Sequence, residues 1–313
     1  MAWLEYTINT ISTDIETVAA KLTAAGFSDL VIEDQNEFES FLEQNREYWD
    51  YIDEELEQQL DGLSQIKLYL EDTDTKGISA LETLIQSLSL TMSATALPDV
   101  DYEESWKDSY PPQEIGSKLL VLPYWLSELE SEGRQKVILD PGLTFGTGAH
   151  PSTQMVMEAM EELICPGDHC LDLGSGSGIL SIAALRLGAQ TAIGVDIDPK
   201  AEDIARENAA YNGYTAPQFE ACTGNVTADH QLMNRLAQKE YRVVLVNIVA
   251  DVIIGLAPVL PEFLSDDTCL ICSGILDCRL DEVCHALEQA GIVVTSVRSK
   301  EEWRCVTGRR RST

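Results

Sequence analysis

The sequence predicts an α/β protein: an open, mostly parallel sheet ending in an antiparallel hairpin, preceded by a small α+β domain. Three observations carry this. From residue 169 onward, apolar runs of strand length alternate with amphipathic stripes of helix length. Within that alternation, Cys170-Leu-Asp-Leu173 leads into a turn carrying Gly174, Gly176 and Gly178, and Asp196 closes the next strand, 22 residues after Gly174. Last, residues 292–297 and 303–307 are apolar runs with only a short gap between them, as in a hairpin.

The elements follow in order. Leu4, Tyr6 and Ile8 alternate with Trp3, Glu5 and Thr7, the period of a half-buried strand. Thr13-Asp-Ile-Glu16 has the form of a capping box, opening a helix with Ile15, Val18, Ala19 and Leu22 on one face and Gly26 at its end. Residues 30–33 read as a second strand, and Ile66, Leu68 and Leu70 alternate in a third. Leu81, Leu84, Ile85 and Leu88 stripe a second helix before a fourth strand at 91–97. The order β-α-β-β-α-β is that of a ferredoxin-like fold, which hosts many functions and fixes none. Between its second and third strands, residues 33–61 form an insertion with twelve acids and one base, Arg46.

Residues 98–112 are acidic, aromatic and bounded by prolines, as in an interdomain linker or short helix; Trp106 and Tyr110 would share one helical face. Strands at 118–123 and 136–139 lead to residues 140–153, too rich in glycine for a regular element, and then to an apolar-striped helix at 155–163. Thr153 stands near that helix start, where a hydroxyl can cap the helix or bond a ligand. His150, ahead of a proline, reads as a structural hydrogen-bonder rather than a catalytic group.

Past the glycine turn, a helix at 179–187 and a strand at 192–195 precede a helix running from Pro199 to the stop signal Asn212-Gly213. A strand at 218–221 and a polar helix at 229–238 precede a largely apolar strand, 241–249, with Asn247 near its end. A helix at 251–263, interrupted by Gly255 and Pro258, leads to a strand at 268–272. Leu280, Val283, Cys284 and Leu287 stripe the last helix. The expected domains are an acidic recognition domain at 1–98, a linker region at 99–125 and a catalytic domain at 126–313.

The 313 residues are enough for two separate cores. Against 21 Lys and Arg stand 53 Asp and Glu, net −32, and residues 1–100 alone hold 21 acids against four bases. Such a surface repels nucleic acid and anionic membranes and attracts a basic partner, although solubility alone also accounts for acidity. No apolar run is long enough to span a membrane, and the first residues lack a signal-peptide pattern. The eight cysteines are scattered on apolar faces. Cys269-Leu-Ile-Cys272 has metal-site spacing, but it lies in a strand with no second pair. The expectation is a reduced, cytoplasmic monomer without a metal site.

Ligands of open α/β sheets bind at the carboxyl ends of the strands, a rule that gathers Gly174, Asp196 and Asn247 on one edge. Gly174 and Gly176 let the backbone turn and approach a ligand, and Asp196 stands where a carboxylate reaches ribose hydroxyls. A dinucleotide is one candidate, but Ile179 occupies the third glycine position of its G-x-G-x-x-G pattern, and Asp172 would repel a pyrophosphate. S-adenosylmethionine has no phosphate and carries a sulfonium and an amino group, which suit an acidic turn. A parallel sheet ending in a hairpin is the shape of the Rossmann-like class I methyltransferases. For an amine acceptor, the side-chain carbonyl of Asn247 can accept a hydrogen bond and aim the nitrogen lone pair without placing a fixed charge beside it. Its alternative role is merely to end a strand.

Several stretches are more specific. Phe145-Gly-Thr-Gly-Ala-His-Pro-Ser-Thr153, Leu171-Asp-Leu-Gly-Ser-Gly-Ser-Gly-Ile-Leu180, Gly194-Val-Asp-Ile-Asp-Pro199 and Asn247-Ile-Val-Ala250 resemble the PrmA family, the ribosomal protein L-eleven methyltransferases. Trp106-Lys107, the run at 115–123, Ser273-Gly-Ile275 and the closing run at 301–308 are similar to its interdomain and C-terminal segments. The resemblance is strong over about residues 100 to 310 and only in outline before that. It implies trimethylation of the α-amine and lysine ε-amines of a basic ribosomal protein, with S-adenosylmethionine as donor. It also implies that Thr153, Gly174, Asp196 and Asn247 contact the cofactor, that Asn247 lies beside the incoming amine, and that the first domain docks the substrate and swings about the linker. Ser175 departs from a common cysteine, and the acidic 33–61 insertion is unusually long. The residues alone also admit another protein or small-molecule acceptor, or an inactive binding module on the same fold.

Overall fold

The computed structural model describes residues 3–27, 30–34, 64–96, 107, 110–141 and 148–311. Nearly all of the 33–61 insertion, Trp106, and Phe145-Gly-Thr147 of the glycine-rich run lie outside these residues. The chain divides into two units, Met1–Asp108 and Ser109–Thr313. No helix among the described residues is long and apolar enough to cross a membrane.

The first unit comprises β1 (Trp3–Thr10), α1 (Ile15–Ala24), β2 (Leu30–Asp34), β3 (Ser64–Glu71), α2 (Thr75–Leu88) and β4 (Thr91–Ala96). Its strands pair antiparallel in the order β2-β3-β1-β4, the ferredoxin-like arrangement. Alternation puts Tyr6, Ile8, Ile66 and Leu68 on one face, where they bury against Ile15, Val18 and Leu22 of α1 and Leu81 and Ile85 of α2. The N-cap position of α1 is Asp14 rather than Thr13, and its side chain makes no cap hydrogen bond. The chain enters α1 through a 3-10 turn, Ser12–Asp14, with the Asp14 N–H on the Ile11 carbonyl at 2.9 Å, and the Thr13 hydroxyl turns to Asp14 Oδ1 at 3.4 Å. The side-chain cap appears instead on α2, where Asp74 Oδ1 accepts the Gly77 N–H at 2.9 Å.

The second unit opens with a sheet of its own: β5 (Gln113–Ile115), β6 (Leu119–Pro123) and β7 (Gln135–Leu139), with β6 and β7 parallel. Then come α3 (Pro151–Leu163), β8 (His169–Leu173), α4 (Ile179–Arg186), β9 (Thr191–Asp196), α5 (Pro199–Tyr211) and β10 (Phe219–Thr223). The chain continues through α6 (His230–Ala237), β11 (Val243–Asn247), α7 (Ala250–Leu256), β12 (Cys269–Leu276), α8 (Leu280–Gln289), β13 (Ile292–Lys300) and β14 (Trp303–Arg310). The large sheet runs β10-β9-β8-β11-β12-β14-β13, with the first five parallel and β14 inserted antiparallel between β12 and β13.

Both faces of this sheet are covered. Cys170, Val243, Leu245, Cys269 and Ile271 face a core shared with α3, α4 and α5; Leu171, Val244, Val246, Leu270 and Cys272 face one shared with α6, α7 and α8. Burial on both faces is why β11 reads as an unbroken apolar run rather than an alternation. The same pleat separates Cys269 from Cys272: three residues apart in a strand, they project into opposite cores and cannot share a metal.

The strands of the hairpin are longer than their apolar cores predict, and a two-residue turn, Glu301-Glu302, joins them. β12 also runs past Cys272 to Leu276, through a register shift between Cys272 and Ile275. Gly274 makes this possible: at φ 82° it lets the Ile248 carbonyl approach to where a Cβ would lie only 2.5 Å from it. Along edge strand β13, Arg298 pairs with Glu162 at 2.6 Å and Lys300 with Gln154 and Glu158, tying the hairpin to α3.

Candidate active site

The chain winds from β8 outward through β9 and β10, then crosses back to β11 and β12 on the other side of β8. Strand order therefore reverses between β8 and β11, and a ligand crevice lies beyond the carboxyl ends at such a reversal. Leu173 pairs with Val246, so Gly174 and Asn247 leave neighbouring strands at the same level.

The backbone shapes the β8 side. Gly174, Gly176 and Gly178 take φ of 78°, 48° and 78°, the left-handed region that side chains disfavour. The N–H groups of Gly174 and Ser175 bond the Val195 carbonyl at 2.8 and 3.1 Å, fastening the turn to β9. Gly174 has no alternative, because a Cβ there would sit 2.4 Å from Ile248 Cγ2. Asp196 Oδ2 accepts the Gly176 N–H at 2.8 Å and Oδ1 the Asp198 N–H at 3.0 Å. Two backbone donors thus fix the carboxylate, whose remaining lone pairs suit a vicinal diol.

Asp172 lies beneath the turn, 1% exposed. Its Oδ2 accepts from the Ser181 N–H at 3.2 Å and the Ser181 hydroxyl at 2.8 Å, while Oδ1 is buried without a hydrogen-bond partner. Burial pushes the carboxyl pKa up to about 7, against the pull of the Ser181 hydrogen bonds. A buried carboxylate oxygen lacking a donor, beside a glycine turn, matches a cationic ligand. It agrees with the sulfonium and ammonium of S-adenosylmethionine and disfavours a pyrophosphate.

Side chains shape the other side. Asn247 Nδ2 donates to Thr153 Oγ1 at 3.1 Å, joining residues 94 positions apart. The Asn247 carbonyl oxygen has no donor among the described residues and is the natural acceptor for an amine N–H. Thr153 is 3% exposed and does not cap α3, which begins two residues earlier, at Pro151. His150 is the cap: its Nδ1 takes the Ser152 N–H at 3.3 Å and pairs with the Ser152 hydroxyl at 2.7 Å. Its ring stands edge-on to Trp303, centroids 4.5 Å apart, and desolvation holds its pKa below the ordinary value despite Glu302 and Glu301 nearby. The structural reading of this histidine agrees with that geometry. Ser273 at the β12 irregularity completes the frame, its hydroxyl donating to the Ser152 carbonyl at 3.1 Å.

The fold thus gathers Gly174, Gly176 and Asp196 in one group and joins Thr153 to Asn247 in another, adjacent one. Sequence reasoning gave Ser181 no part, and met Ser273 and Trp303 only within family-like segments and a predicted strand, with no role assigned. Ser181 had a signal: a lone hydroxyl inside the otherwise apolar 179–185 stretch, three residues after Gly178.

Comparison with known proteins places nearly the whole chain in one family. The family described as ribosomal protein L11 methyltransferase (PrmA) matches residues 2–311. The chain belongs to that family. Among its relatives, the ribosomal protein L11 methyltransferase of Alkaliphilus oremlandii is 34% identical over 99% of both chains. That of Heliobacterium modesticaldum is 32% identical over 99% of this chain and 98% of its own. The crystal structure of ribosomal protein L11 methylase from Lactobacillus delbrueckii subsp. bulgaricus is 28% identical, with a TM-score of 0.58 covering 65% of this chain and 100% of that one. The methyl donor of this chain is S-adenosylmethionine.

Proposed function

We propose that this chain methylates ribosomal protein L11 on its N-terminal α-amine and on lysine ε-amines, and that Thr153, Gly174, Gly176, Asp196 and Asn247 form the site. The match to the family from residue 2 to residue 311 carries the reading. When bound, S-adenosylmethionine supplies a methyl carbon already activated by its sulfonium, so displacement is in line and the protein has mainly to position the two reactants.

Each residue then has a task. Asp196 holds the ribose hydroxyls, and the bare backbone of Gly174 and Gly176 admits the cofactor. Asp172, buried beneath the turn, would set a carboxylate under its cationic end. Asn247 Oδ1 accepts one N–H of a neutral amine, which aims the nitrogen lone pair at the methyl carbon. Thr153 secures the other end of that amide at 3.1 Å, so it cannot swing away from the amine. The proton of the methylated amine passes to water.

Substrate choice belongs to charge. Net −32 favours a basic, lysine-bearing protein and disfavours direct contact with nucleic acid. In this reading residues 1–98 recognise the substrate, 99–125 link, and 126–313 catalyse, with the chain working as a monomer in the cytoplasm. Its eight cysteines are free, and burial raises the pKa of Cys170, Cys269, Cys272 and Cys305, which suits a reducing compartment.

The test is to incubate the protein with labelled S-adenosylmethionine and ribosomal proteins from cells lacking the activity, and to map the label by mass spectrometry. Label on the α-amine and lysines of L11 is the expected outcome. Label on a different acceptor, or none despite cofactor binding, would overturn the assignment.

A further inference from the structure

A buried amide on α5, outside the groups assigned above, touches both stems of the site. Asn208 is wholly buried. Its Nδ2 donates to the Ser177 carbonyl inside the glycine turn at 2.9 Å, and its Oδ1 accepts the Asp140 N–H just past β7 at 2.8 Å. α5 comes this close because Gly178 has no side chain: a Cβ there would meet Ala205, one turn before Asn208, at 3.0 Å. One turn later, Asn212 clasps β7 without reaching the glycine turn. It accepts the Ile138 N–H at 2.9 Å and donates to the Ile138 carbonyl at 2.7 Å, as a neighbouring strand would. Its Nδ2 also donates to the Asn208 carbonyl at 2.7 Å, and Arg186 of α4 donates to its Oδ1 at 3.3 Å.

The difference that bears on the site is what each amide reaches. Asn212 holds the small sheet, whereas Asn208 holds the small sheet and the glycine turn with the same amide. The chain leaving β7 at Asp140 returns at Gly148, which packs on Val121 and on Ile179, the residue after the turn. It then reaches Thr153 and, through it, Asn247. We propose that Asn208 is a positioning residue: it sets the Ser177 peptide of the cofactor turn and the origin of the acceptor-side segment relative to one another. This rests on the reading of the glycine turn as the S-adenosylmethionine site. Without the amide, the Ser177 carbonyl loses the bond from Asn208 and the part-buried Asp140 N–H loses its bond to it, and the turn relaxes from the shape that admits the cofactor.

The experiment compares the wild-type chain with Asn208→Ala, Asn208→Asp and Asn212→Ala. Affinity for S-adenosylhomocysteine is measured by calorimetry, thermal midpoint by melting, and KM and kcat with the protein substrate. Both alanine variants should melt earlier. Only Asn208→Ala should bind the nucleoside more weakly, by about tenfold, with KM for the donor rising more than kcat falls. Asn208→Asp keeps the acceptor for Asp140 and can donate to Ser177 only when protonated. Its affinity relative to wild type at the same pH should recover at the acid end and fall as pH rises.

Nucleoside affinity in Asn208→Ala equal to that in Asn212→Ala would overturn the proposal, as would a flat pH profile for Asn208→Asp. Should Asn208→Ala not fold, the pH profile of the carboxylate variant decides alone. A wild-type chain that binds no S-adenosylhomocysteine would refute the cofactor reading itself, whereas wild-type affinity in Asn208→Ala refutes only the positioning role.

Discussion

Around Gly174 the site is made of backbone: three glycines with positive φ, two N–H groups on the Val195 carbonyl, and a third N–H on Asp196. Around Asn247 it is made of side chains: a threonine 94 residues earlier, a serine hydroxyl reaching the Ser152 carbonyl, and a histidine ring against Trp303. The two halves touch, since Ile248 packs where a Cβ of residue 174 would be. Yet they tolerate error differently. A backbone-built surface has no spare conformations, so damage there should abolish binding. A side-chain frame can lose one hydrogen bond and still fold, so damage there should appear mainly in turnover.

The largest effect should therefore come from Gly174→Val. A branched side chain must adopt left-handed φ and displace Ile248 at once, and S-adenosylhomocysteine affinity should fall by at least about 100-fold. Calorimetry checks this, and near-normal affinity would erase the proposed contrast between the halves. Asn247→Ala comes next: the fold stays, and kcat should drop about 100-fold while nucleoside affinity changes far less. Single-turnover kinetics separate the two quantities, and full activity would remove Asn247 from the mechanism. Thr153→Val sharpens the comparison further. It deletes only the bond that secures the Asn247 amide, so kcat should fall about tenfold, with the melting temperature little altered.

The same division explains what was legible in the sequence. The glycine turn, Asp196 and the succession of strands and helices through the large sheet could be read because local rules produce them: left-handed φ needs glycine, and a strand buried on both faces needs an unbroken apolar run, as in β11. Helix α5 was equally plain from Pro199 to Asn212, since its cap and stop are local. Pairings across the chain were not. Nothing near Thr153 announces Asn247, and its place inside α3 was hidden because His150, an uncommon cap, lets the helix start at Pro151, four residues before the apolar stripe at 155. Asn208 sits in a polar-looking stretch, Glu207-Asn-Ala-Ala-Tyr211, and reads as a solvent-facing residue until β7 is seen to lie against it. Of the small β5-β6-β7 sheet, only β6 and β7 were visible, as separate strands, and β5 was not. β12 was cut short at Cys272 because a glycine that permits close approach of another backbone looks, in sequence, like a terminator.

Asp172 lies under the seam between the halves, and its titration offers the finest test. In the folded chain its carboxyl is held near pH 7, above the ordinary value of 3.8, chiefly by burial. The folded state consequently binds this proton more tightly than the unfolded state does. The stability it contributes is fully present below about pH 4 and is lost as pH rises through about 7. Cofactor affinity should run the other way, because a cation beside Oδ1 favours the ionised carboxylate: binding should tighten as pH rises through the same range. Asp172→Asn removes the titration. Its melting temperature should lose the Asp172-linked fall between those limits, and its S-adenosylhomocysteine affinity should no longer rise with pH. If the variant keeps the wild-type pH dependence of both, the charge that greets the cofactor is not Asp172, and the backbone of the glycine turn and Asp196 must supply the whole of the recognition.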